Sequence, residues 1–134
     1  MTRRNEREPE KFKASGRALD NLRNALNTLE SIPEYDLSQA ELASDNVASA
    51  LITIFLPGRK NPFIGRAPAL YEVIEKLHER FDLEDEAVDA AYEMKSRIED
   101  SYRFEEEDDI GYEVKEYADD LIDRLNKFVQ RQVI

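Results

Sequence analysis

The chain has no cysteine and no tryptophan, and only one histidine, four glycines and five prolines in 134 residues. Without cysteine there is no disulfide framework, no thiol nucleophile and no thiolate-bound metal. With one histidine, a multi-histidine metal site would need several copies of the chain. Long apolar runs are missing too. The most apolar stretch, Val47 to Leu56, spans ten residues and is broken by Ser49 and Thr53, against about 20 needed to cross a bilayer. The start, Met1 to Arg7, is polar and lacks the apolar segment of an export signal. These absences predict a cytoplasmic protein with no membrane span and no cofactor.

What is present is charge. Residues 1–81 carry 12 basic and 12 acidic side chains, whereas residues 82–134 carry 7 and 18, so the whole net charge of -11 sits in the C-terminal part. Such polarity predicts one repulsive acidic face that nucleic acid avoids. Two basic clusters stand apart from it, Arg3/Arg4/Arg7 and the loop residues Arg59, Lys60 and Arg66. Either could touch a phosphate, although ordinary solvated charge is the plainer reading.

Five segments show helical spacing and none alternates as a strand does, which predicts an all-α, up-and-down bundle of about five helices in one domain over 1–134, with residues 1–8 flexible. The first helix is expected from Pro9 to Ser31, with Phe12, Leu19, Leu22, Leu26 and Leu29 on one face, Gly16 weakening it and Pro33 stopping it. The second should start at Ser38 with Glu41 in a capping box and bury Ala40, Ala43, Val47, Ala50, Leu51, Ile54 and Phe55. A basic loop follows from Pro57 to Arg66, pinned by Phe63 and Ile64. Pro68 suits the first turn of a third helix carrying Leu70, Ile74, Leu77 and Phe81. Asp82 is placed to cap a fourth helix with Ala87, Ala91, Met94 and Ile98 inward. The acidic run Glu105 to Asp109 reads as a loop before a fifth helix from Tyr112 to Gln132.

Candidate chemistry is sparse. His78 is the one side chain that titrates near neutrality unaided, but no Ser or Cys nucleophile lies at a nearby helical spacing. Adjacent carboxylates such as Asp119/Asp120 diverge by about 100° on a helix and do not converge on one point. The Glu105 to Asp109 cluster lacks the alternating ligands and central glycine of a calcium loop, so no metal site is expected. There is no phosphate-cradling Gly-Lys-Ser/Thr sequence. Tyrosines at 92, 102, 112 and 117 recur through the acidic part as boundary or interface aromatics.

The order of features is similar to that of a known family. An amphipathic first helix, an Ala-rich second one, a long loop and a third helix ending in Phe81-Asp82 are followed by Tyr-Glu-Met-Lys-Ser-Arg-Ile-Glu-Asp-Ser-Tyr at 92–102. Together with Gly111 to Val129 they resemble the HEPN superfamily of small helical proteins over residues 10–130. The resemblance implies a homodimer, often acting beside a nucleotidyltransferase in toxin-antitoxin pairs. Many members are ribonucleases that pair an Arg with a His four to six intervening residues later. Here Arg97 takes the arginine position, while Tyr102, Arg103 and Phe104 stand where His would fall. The catalytic base is therefore missing from the motif.

The expectation is a non-catalytic HEPN-like module that binds a protein partner. Arg97, Tyr102 and Arg103 are its candidates for a nucleotide or RNA contact, and no residue is assigned as catalytic. The alternative is a ribonuclease or nucleotide-processing enzyme that uses Arg97 and Tyr102 without His. An acidic decoy that occupies a basic surface through residues 82–123 is a third reading.

Overall fold

The computed structural model describes residues 13–104 and 107–133. Among them are five α-helices and no strand: α1 Gly16–Glu30, α2 Leu37–Phe55, α3 Leu70–Arg80, α4 Asp85–Phe104 and α5 Glu107–Gln132. Consecutive helices pack on one another, and α1 also meets α5, so the up-and-down bundle closes on itself. All five share one buried apolar cluster. No helix of the described residues is long and apolar enough to cross a membrane.

Helix α2 buries nine of its nineteen residues. Alanines at 40, 43 and 48 let neighbouring backbones approach, and the face then widens to Leu51, Ile54 and Phe55. The Phe55 ring lies 5.1 Å from that of Phe128 on α5 and 6.2 Å from that of Phe81 at the end of α3. Phe55 and Phe128 are fully buried and Phe81 partly so, and the group ties three helices together.

Helix starts depart from the sequence-based expectations, each for a local reason. Residues 13–15 precede α1, and the Ser15 Oγ accepts from the Ala18 amide at 3.0 Å, so Gly16 is the first helical residue rather than a weak interior one. The expected start at Pro9 and the face residue Phe12 lie outside the described residues. Asp36, not Ser38, caps α2: its Oδ1 accepts from the Ser38 and Gln39 amides at 2.9 and 3.2 Å. A carboxylate two residues earlier is the stronger acceptor, and it lets Leu37 enter the helix buried. Pro68 falls just outside α3. There the Glu72 carboxylate reaches back to the Ala69 amide at 2.9 Å and sets the start. Helix α4 begins at Asp85, so Asp82 is not its cap. Glu107 to Asp109 belong to the first turn of α5 rather than to a loop, since a helix start favours acidic residue types.

Two further details position α5. Between α1 and α2 the chain turns sharply through Glu34 and Tyr35, both at positive φ (50° and 44°). Tyr35 is buried there, its hydroxyl donating to the Leu29 carbonyl at 3.2 Å. Gly111 lets α5 pass against this turn: a Cβ at 111 would lie 3.3 Å from the Tyr35 carbonyl oxygen. In the long loop, Phe63 is buried as expected, but Ile64 is 74% exposed and anchors nothing. The Asn61 side chain takes over that role by accepting from the Phe63 amide at 2.7 Å.

Candidate functional site

Arg97 is the residue on which the expected chemistry turns. From the middle of α4 its Nη2 meets Glu93 Oε2 at 3.2 Å, one turn back on its own helix. Its Nε meets Glu113 Oε2 on α5 at 2.8 Å, and its guanidinium lies 5.8 Å from the centre of the Tyr117 ring. Partial burial works against the charged form, but Glu93, Glu113 and Tyr117 outweigh it and hold the pKa above the ordinary arginine value. Arg97 is thus a clamp between α4 and α5. Ser101, four residues on, does not reach the guanidinium and donates to the Ile98 carbonyl at 2.7 Å. Tyr102 and Arg103 lie in the last turn of α4, and their side chains fall outside the described residues.

His78 does not approach this arginine. Its Nε2 contacts Asp85 Oδ1 and joins the end of α3 to the start of α4. Twelve residues of α4 separate Asp85 from Arg97, about 18 Å along the axis. Nor do the basic loop residues act together. Arg66 forks onto Glu72 at 2.8 and 3.2 Å, which raises the arginine pKa and lowers that of the carboxyl. The Lys60 carbonyl accepts from Arg80 Nη1 at 2.6 Å, while Arg59 is exposed and has no ion pair among the described residues. Arg3, Arg4 and Arg7 lie outside the described residues. Among the described residues no three His, Cys, Asp or Glu side chains could jointly hold a metal.

A different place is open. A cleft of about 200 Å³ lies between α2, the start of α3 and the middle of α4. Leu70, Ala91, Met94 and Ile98 form its apolar lining, and Tyr71 adds an aromatic wall. The Tyr71 hydroxyl is held by Glu75 at 2.9 Å, and its ring meets that of Tyr92 edge-on at 5.5 Å. Ser44 lies in the α2 wall. Its Oγ is buried and has no hydrogen-bond partner among the described residues, a condition that costs about 1–3 kcal/mol. At the rim Lys95 pairs with Glu99 at 3.0 Å, and that bond raises the lysine pKa. Glu41 and Asp45, one turn apart on α2, are exposed and have no ion pair among the described residues.

Sequence reasoning missed Ser44. The signal was there, because positions 40, 43, 44, 47, 48 and 51 form one helical stripe and Ser44 is its only polar member. The sequence thus placed the candidate site on a residue that the fold has committed to holding two helices together.

The fold and this cleft define a class, a small acidic helical bundle with five helices and a partly open interhelical pocket among its described residues. No family model matches the chain, and neither a curated protein nor a solved structure matches it.

Proposed function

We propose that the chain is a non-catalytic, HEPN-like helical module that binds a protein partner through its acidic face. The observation that carries the reading is the commitment of Arg97 to Glu93 and Glu113, with the lone imidazole paired to Asp85 elsewhere. Cleavage of RNA by an arginine and a histidine needs both beside the scissile phosphate, free to contact it. Here each is paired with a carboxylate of the same chain. Glu86 and Asp89, exposed one turn apart on α4 and without an ion pair among the described residues, offer negative charge to a basic partner. The family resemblance names a nucleotidyltransferase as that partner and a homodimer as the working unit, with a nucleotide or RNA contact near Arg97 as an optional addition.

Purified protein incubated with single-stranded RNA should leave it intact, and Arg97→Gln should change nothing. Cleavage that disappears in Arg97→Gln overturns the reading. Affinity purification from the source cells should recover one stoichiometric partner, released as ionic strength screens the contact beyond a Debye length of about 8 Å. Light scattering that gives one chain mass at micromolar concentration removes the homodimer.

A further inference from the structure

Two features of the α2–α3–α4 cleft serve no purpose in folding. The Ser44 hydroxyl is buried without a partner, although a helical serine can usually reach the carbonyl four residues back. Glu41 and Asp45 are like charges at i,i+4, an arrangement that weakens a helix. The one cation at the rim, Lys95, is already bound to Glu99 and leaves those two carboxylates uncompensated. Apolar lining, an orphan hydroxyl and a negative rim together describe one kind of guest.

We propose that the cleft binds a small organic ammonium ion, with an apolar body about the size of one ring. A cavity of about 150 Å³ accepts benzene, so about 200 Å³ accommodates a ring and a short chain. The ring lies against Leu70, Met94 and Ile98, beside Tyr71, whose face already carries the Lys95 ammonium at 5.9 Å. The ammonium group sits toward Glu41 and Asp45, and one N–H donates to the Ser44 Oγ. An anion of the same shape would meet two free carboxylates at the mouth and a chain of net charge -11. This inference does not depend on the protein partner proposed above.

The test is an amide NMR titration of the full chain at constant ionic strength with three probes of one shape: phenethylammonium, 2-phenylethanol and 3-phenylpropionate. Phenethylammonium should give saturable shifts confined to residues 41–48, 69–71 and 91–99, with a Kd of ~1 mM for so small a ligand. The alcohol should bind more weakly and the carboxylate weakest. Glu41→Gln with Asp45→Asn changes only exposed side chains, so the protein stays folded, and the ammonium probe should lose on the order of tenfold while the alcohol loses little. Ser44→Ala should weaken the ammonium probe several-fold. Absence of saturable shifts, equal binding of the carboxylate, or ammonium binding unchanged in both variants overturns the proposal. Tighter binding of a blocked Phe-Lys dipeptide than of phenethylammonium overturns the free amine in favour of a protein side chain.

Discussion

The Arg97 seam and the Ser44 cleft share helix α4 as a wall and treat their polar groups in opposite ways. At the seam the guanidinium has two carboxylates and an aromatic ring, and its carboxylates come from α4 and α5. At the cleft a buried hydroxyl has no partner and two rim carboxylates have no counter-ion among the described residues. The contrast separates two uses of polarity. A closed network holds helices in register, while an open one keeps hydrogen-bonding capacity for something that arrives later.

Both regions belong to one fold whose shared core holds the Phe55, Phe81 and Phe128 group, so removing its centre should weaken both together. Phe55→Ala is expected to cost about 3–5 kcal/mol. Urea unfolding should show the midpoint collapse, with the cleft and the seam lost together. A loss below about 1 kcal/mol would mean that the two regions are held independently.

The next effect sharpens the seam side, where Tyr35 packs near α5. Burial, with a smaller contribution from Asp119, pushes its hydroxyl well above the ordinary tyrosine range. Below pH about 10 both the folded and the unfolded chain keep that proton, and the full stability is present. Above it the unfolded chain ionises first and stability falls as pH rises. Tyr35→Phe should lose about 1 kcal/mol near neutrality, because the hydrogen bond to the Leu29 carbonyl goes. It should also flatten the alkaline decline in urea midpoints, and an equally steep decline in the variant would refute the assignment to Tyr35.

Ser44→Ala tests the cleft side with the sign reversed. The change removes a hydroxyl that has no partner and places a better helix former on α2. Thermal unfolding should show a gain of about 0.5–1 kcal/mol. A loss of similar size would mean that the hydroxyl is satisfied in solution, and the cleft would then cease to be an open network.

The apolar spacing of the leucines and alanines predicts all five helices, because a 3.6-residue stripe needs nothing beyond the chain itself. Helix starts were less legible, because several acceptors compete within one turn. Asp36 prevails over Ser38, and Glu72 with Arg66 sets a start that Pro68 seemed to mark. Arg97 could be singled out from sequence, and so could its link to Glu93, four residues back. Its link to Glu113 could not, since that contact depends on how α5 lies against α4. Ser44 shows the converse. Its place as the one polar member of an apolar stripe is legible in the sequence, but that its hydroxyl lacks a partner among the described residues is seen only in the fold.

The smallest effect bears most directly on what Arg97 does. Its side chain is 32% exposed and that of Glu113 52%, so water screens the pair, and an interaction of this kind is worth about 0.2–1 kcal/mol. A double-mutant cycle with Arg97→Gln and Glu113→Gln isolates that coupling from the losses each change causes alone. The coupling should be measurable at low salt and fade as ionic strength rises, whereas the contact with the Tyr117 ring is common to both arms and cancels. A coupling of zero at low salt would mean that the guanidinium is not clamped in solution. Arg97 would then again be free to meet a phosphate.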